Sequence, residues 1–499
     1  EMVEDILQGS EGSNPNYLTE FNGAIYFSAE SDDTSGQVAM MANYEHLTWS
    51  SNHRIDTVHT LESISTGNYI HISSKPIVTE NELYFIGIPE YTTTSAGFPA
   101  TILHHYHWEG NAMSIDVISG EEDYEYQIGG LLGWDQEVLM PPKAAKLRAE
   151  QLSWISRTGH EKLTDSRIGE LLEMLEQDNN LNEVQKGNIR LARDSYNKAT
   201  KLPTDFVAEM ALHKSKSQIT WTEARAKNDF SIFRDDLAKM VEMSRKKADF
   251  LGFQEVRYDA LLDLYESGLT VSKVDPLFAG LRENVAPLVK KVIENGKKPK
   301  MSWVHENNWS KEGQEKLSQS ISESIGFDFD AGRRDASTHP FCGGPNPDDV
   351  RWTTRYDETD PFGSLYGSLH ETGHGLYEQG RPRNLDFQPA GSANGLGIHE
   401  SQSRLWENQV GRSKEFCEWA LPTWKKYFPE QMKNVSADEL WRSVNLVEPS
   451  LIRVEADEAT YNLHIMIRYE IEKKLIAGEI EVDDLPDVWD DMYLSLIHI

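Results

Sequence analysis

Residues 368–380 read SLHETGHGLYEQG. His370 and His374 are four apart, so on a helix both imidazoles face the same way and can offer one nitrogen each to a single ion. Zinc accepts such nitrogens at about 2.0–2.1 Å. Glu371 sits beside the first histidine, where it cannot share that geometry but can reach a water on the ion. This placement suits a general base. A third protein ligand is needed, with a fourth position left open for water and substrate. Glu400 is the candidate, 26 residues after His374 in GLGIHESQSRLWENQVG, where a second helical pattern starts. The chemistry of such a set is hydrolysis of a polarised carbonyl by activated water. There is a competing reading. Two solvated histidines on a helix face fit the same pattern, and a carboxylate near a helix N-terminus is favoured by the dipole alone.

The elements that must position these residues are legible. Gly373 and Gly375 each cost a helix up to about 1 kcal/mol, so they point to close approach by another element. KAAKLRAEQLSWISRTGHEKL (143–163), VQKGNIRLARDSYNKAT (184–200) and FSIFRDDLAKMVEMSRKKADFLGF (230–253) place apolar residues at i, i+3, i+4 and i+7 among charges. These are amphipathic helices. Thr164-Asp165 and Thr270 stand where N-caps are expected. Residues 129–493 therefore read as one large, nearly all-α domain. The exception is STHPFCGGPNPDDVRWTTRY (337–356), whose Pro, Gly and alternating residues predict a loop and a short strand or hairpin.

The chain has 499 residues and a net charge of -32. That length exceeds one ordinary domain. The charge argues against nucleic acid and anionic membrane as partners. Cys342 and Cys417 follow no CxxC spacing, so no disulfide framework is expected. No apolar run reaches the roughly 18–20 residues of a membrane span. The opening EMVEDILQGSEGSNPN lacks the regions of a signal peptide. Residues 1–125 hold 20 acidic residues but only two basic ones, Arg54 and Lys75, whereas 126–499 hold 61 and 47. Such a break marks a boundary between an acidic, β-rich segment (1–125) and the helical domain (126–499). In the first part, AIYFSA and ELYFIGI read as strands between turns. Tyr26 and Tyr84 lie 58 residues apart, which fits a blade-like β repeat or a β-sandwich. The stretch from Val3 to Gln37 resembles the ELWxxDGT repeat of bacterial surface proteins, without its DGT turn.

Six motifs occur in order: LLGWDQEVLMPP (131–142), HPF (His339 to Phe341), DVRWT (Asp349, Arg351, Thr353), HETGH (370–374), HESQ (399–402) and IRVEAD (Arg453, Asp457). With these, residues 129–493 resemble the carboxypeptidase Taq family of zinc metallocarboxypeptidases. The resemblance implies a gluzincin-like all-α fold with a deep groove, a homodimer, one Zn2+ per chain that Co2+ can replace, and removal of single residues from peptide C-termini. It maps metal binding to His370, His374 and Glu400, and the base to Glu371. A free C-terminus calls for a planar, bidentate donor. Arg351 and Arg453 lie in matching motifs, although each has an aspartate nearby, Asp349 or Asp457, as a competing salt-bridge partner. His339 either lines the groove or orders its Pro-rich loop. Tyr461 and His464 share a helix face near Arg453, where they can serve as transition-state donors; a buried, hydrogen-bonded Tyr461 is the competing reading. A cytoplasmic location follows from the larger domain, while the β-rich segment hints at an extracytoplasmic one.

The chain also departs from the family. The acidic segment stands where helices precede WDQE, and the C-terminal GxxQDxHW motif is missing, so the domain reads as truncated at both ends. Residues 494–499 read as the translated end of an interrupted frame. Two alternatives stay open: an inactive surface or binding protein on a relic scaffold, and a zinc endopeptidase with an open cleft.

Overall fold

The computed structural model describes the backbone of nine strands between Asn16 and Val117 and of residues 121–496, with side chains for 127–454 and 456–494. Residues 22–23 and 79–81, where turns are expected, lie outside the described residues with 1–15 and 497–499, and with them much of the stretch that resembles surface repeats. Both strand-like runs of the acidic segment are strands, Ala24–Glu30 and Glu82–Pro89. Each sits inside an antiparallel sheet. The first pairs with Asn16–Phe21 and Gln37–Asn43, the second with Ile70–Ile72, Ile77–Val78 and Ile102–Glu109.

Contacts divide the chain into two compact units. One gathers 1–125 with 169–194 and 382–392, and the other holds 126–168, 195–381 and 393–499. The second unit carries every candidate site residue. Its periodic segments fold as helices: 143–163 gives Ala145–Leu163, and 230–253 gives Arg234–Leu251 after a short 3-10 turn, Phe230–Ile232. Thr270 takes the N-cap position of Val271–Asn295, but its hydroxyl makes no capping bond. The Val271 N–H goes instead to the Asp259 carboxylate at 2.7 Å. A carboxylate from a neighbouring helix replaces the local cap.

The helix Pro361–Gln379 contains the HETGH motif. The Asp360 carboxylate accepts from the Phe362 and Gly363 N–H groups at 2.9 and 3.2 Å, and Pro361 fills the first helical position. Eleven of its nineteen residues are buried, so this is a central helix and not a surface one. Leu365, Tyr366 and Leu369 join Trp309, Ile321, Trp424 and Phe428 in the main core. Edge-to-face ring pairs, Trp309–Phe428 at 5.0 Å and Trp309–Trp424 at 6.0 Å, tighten that core.

A small sheet packs on the same helix. The hairpin read from 337–356 is there, as Cys342–Asn346 antiparallel to Asp349–Thr354, and Gly332–Ala336 adds a third strand parallel to the latter. Val350 and Trp352 are fully buried and pack with Phe327 and Leu376 of the motif helix. Side chains alternate along a strand, so Arg351 faces the other way.

Candidate metal centre and cleft

The motif helix meets a second helix, Leu396–Arg404, at Gly373. A Cβ on Gly373 would lie 2.5 Å from the Gln402 carbonyl oxygen and 2.7 Å from Ser403 Cα. Only glycine allows backbones to approach so closely. Gly375 serves the same purpose against the Phe327 ring, which a Cβ would meet at 2.6 Å.

This approach carries Glu400 to the histidines. Its Oε2 lies 3.6 Å from His370 Nε2 and 3.6 Å from His374 Nε2. The candidate ligand atoms all fall within 4.8 Å of one another. Donors at about 2.0–2.1 Å around a tetrahedral ion stand about 3.4 Å apart, close to the 3.6 Å from Glu400 to each histidine. Ser403 Oγ steadies the same Glu400 oxygen at 2.8 Å.

The other ring nitrogens decide which way the lone pairs point. His370 Nδ1 lies 2.7 Å from Glu407 Oε2. An ionised carboxylate only accepts, so Nδ1 carries a proton, and in the neutral ring Nε2 keeps its lone pair. His374 Nδ1 lies 2.5 Å from His399 Nδ1, and His399 Nε2 lies 2.7 Å from Glu378 Oε1. Glu378 accepts from His399 Nε2–H, so in the neutral His399 ring Nδ1 accepts from His374 Nδ1–H. Both motif histidines therefore turn an Nε2 lone pair toward Glu400. Two neutral imidazoles and one carboxylate are a donor set suited to a divalent cation.

The sequence reading did not name these supporting groups. His399 stands next to Glu400, a place that draws no notice by itself. Glu407 comes from a wide π turn, Leu405–Val410, that continues the second helix. Burial raises the Glu407 carboxyl, but the His370 bond and the Arg404 charge outweigh it and hold the group below its usual range. Arg404 also bonds Glu407 Oε2, at 2.8 Å. The available signal was spacing: Glu400, Arg404 and Glu407 recur at helical intervals along one face.

Glu371 is buried, and its Oε2 has no hydrogen-bond partner. Burial pushes its carboxyl up to about 8; His370 opposes the shift, and Glu400 and Glu407 add to it. A bound cation would act against that shift.

These groups open into a cavity of about 970 Å³, lined also by the HPF loop, Cys342 to Gly344 of the edge strand, and Arg355, Arg404, Arg453 and Tyr461. His339 stands in its wall, edge-to-face with Trp221 at 6.5 Å. Burial and the charges of Arg453, Arg355, Arg225 and Arg468 push its imidazole down to about 4. The unfolded imidazole titrates near 6.5. Between those values the unfolded chain binds more protons than the folded one, so His339 makes stability fall as pH falls through that window. His339→Gln is expected to flatten the dependence in urea unfolding between pH 4 and 6.5. An unchanged slope would contradict this placement.

Arg453 donates to the Tyr461 hydroxyl at 2.7 Å, and both line the cavity. Arg351 does not share that wall. It pairs with Asp349 at 2.7 and 3.0 Å and covers the Trp134 ring at 4.3 Å. His464 turns into the core, fully buried, with Nδ1 3.2 Å from the Tyr493 hydroxyl.

The model of the family described as carboxypeptidase Taq (M32) metallopeptidase matches residues 119–499. The chain belongs to this family. As an M32 member it is a metal-dependent carboxypeptidase, a peptide hydrolase. It is similar to carboxypeptidase 1 of Bacillus subtilis, 41% identical over 373 residues and covering 74% of each chain. Thermostable carboxypeptidase 1 of Thermus thermophilus is 39% identical over 386 residues, 75% of each chain. Among solved structures, the M32 carboxypeptidase of Deinococcus radiodurans aligns with a TM-score of 0.70 at 37% identity, over 77% of this chain and 76% of that one. The Pyrococcus furiosus carboxypeptidase aligns with a TM-score of 0.70 at 36% identity, over 77% and 78%. The M32 domain is thus the mainly helical, grooved fold read from the sequence. Among the described residues no helix is long and apolar enough to cross a membrane.

Proposed function

We propose that the chain releases single residues from the free C-terminus of peptides, with a zinc ion held by His370, His374 and Glu400. The observation that carries this reading is the convergence of the two histidine Nε2 atoms and the Glu400 carboxylate beside Glu371, whose Oε2 has no hydrogen-bond partner, in one cavity. What a bound divalent ion supplies there is acidification of water and polarisation of the scissile carbonyl. Glu371 accepts the water's proton as the new C–O bond forms and returns it to the leaving amine. Its burial keeps bulk water from competing for that proton. Cobalt is expected to substitute for zinc, because the donor set rests on nitrogen and oxygen and sets no softer demand.

Arg453 is the group best placed to bind the substrate's terminal carboxylate. Its guanidinium lines the cavity and is oriented by the Tyr461 hydroxyl. Arg351, committed to Asp349 and Trp134, is less suited to that work. A charge-assisted bond of this kind contributes about 1.5–3 kcal/mol. Arg453→Met is therefore expected to raise KM by roughly 10–100-fold for an N-blocked dipeptide. The same peptide with an amidated C-terminus is expected to be a poor substrate for either protein. Efficient internal cleavage of C-terminally blocked peptides would instead mark an endopeptidase.

A further inference from the structure

Arg404 lines the same cavity as His370, Arg453 and Tyr461. Its Nη1 donates to Glu407 Oε2 at 2.8 Å, the oxygen that accepts the His370 Nδ1 proton at 2.7 Å. Its guanidinium lies 3.7 Å over the Tyr461 ring. The Tyr461 hydroxyl in turn accepts from Arg453 at 2.7 Å. An unbroken path of contacts thus runs from His370, a proposed metal ligand, to Arg453, the proposed carboxylate-binding group.

We propose that Arg404 is a positioning residue that sets the register between the metal centre and the terminal-carboxylate subsite. This rests on the carboxypeptidase reading given above. An exopeptidase needs that register more than an endopeptidase does, because the scissile carbonyl stands a fixed one residue from the terminal carboxylate. A displacement of about 1 Å at such a site costs on the order of 10²-fold in rate. Arginine fits both tasks. Its charged edge donates to the carboxylate, and its planar face covers the aromatic ring. Lysine can do the first but lacks a plane for the second.

That difference supplies the test. Arg404→Lys and Arg404→Met are compared with the parent chain, each checked by thermal unfolding. Zinc affinity is read by competition with a chromogenic chelator, and KM and kcat with an N-blocked dipeptide. Removing a group that orients a metal ligand typically costs 10–100-fold in affinity. The Met variant is expected to lose zinc affinity by that factor and to raise KM. The Lys variant is expected to hold zinc within about threefold of the parent, yet raise KM about tenfold. Equal behaviour of Lys and Met in both readouts, or unchanged zinc affinity in the Met variant, would overturn the proposal. If the parent chain itself releases no C-terminal residue, the carboxypeptidase reading fails by itself. The subsite is then read as binding of the same dipeptide and its amide to each zinc-loaded variant. Loss of the preference for the free acid in the Lys variant is the expected result, and a retained preference overturns the proposal.

Discussion

Glu371→Gln is expected to lower kcat by about 10²–10⁴-fold while leaving the zinc affinity of the chain nearly intact. The substitution keeps the volume of the side chain and removes only the proton acceptor. Glu371 contributes no atom to the His370, His374 and Glu400 cluster, so that set stays complete. Glutamine is also tolerable in the buried pocket, since a neutral amide escapes the desolvation that pushes the carboxyl up to about 8. KM is expected to change little, because the loss falls on the chemical step. Single-turnover release together with metal titration checks both halves. A Gln variant with parental kcat would show that the proton goes elsewhere.

Gly373→Ala carries the second large effect, and it acts through the backbone. In an open helix position, Gly→Ala stabilises by about 0.4–1 kcal/mol. At Gly373 the new methyl would meet the Gln402 carbonyl at 2.5 Å and Ser403 Cα at 2.7 Å. Neither atom is the end of a flexible side chain, so the helices must part by about 1 Å to restore ordinary carbon contacts. Glu400 rides on the helix that moves and must draw away from both histidines. We expect stability to fall by about 1–3 kcal/mol and activity by on the order of 10²-fold, with weaker zinc binding. Gly280→Ala is the control, because nothing lies within 4 Å of a Cβ there. It is expected to be neutral or stabilising. A Gly373 variant that behaves like the Gly280 variant would mean that the crossing is not close.

What the sequence could tell follows from how local each determinant is. The i, i+4 histidines, the intervening glutamate and the two glycines are all features of one helix, and periodicity places them on it. Glu400 was within reach because it opens the next helical pattern. The partners of the Nδ1 atoms were not, because Glu407 depends on a π turn and His399 on the packing of two helices. Arg351 shows the opposite problem. Its motif left a groove role and a salt bridge to Asp349 both open; strand alternation puts Val350 and Trp352 against the motif helix, and Arg351 pairs with Asp349. Tyr461 and His464 are three apart, yet one reaches the cavity and the other the core. A face that lies across a boundary between cleft and core divides in this way.

The measurement that bears most directly on the central claim is release of the C-terminal amino acid from an N-blocked dipeptide. It is made on the chain as purified, after chelation, and after zinc or cobalt is restored, with the amidated dipeptide alongside. The account predicts that release stops on chelation, returns with either metal, and is far slower from the amide. Release that persists in excess chelator, or that ignores the free carboxylate, would contradict it.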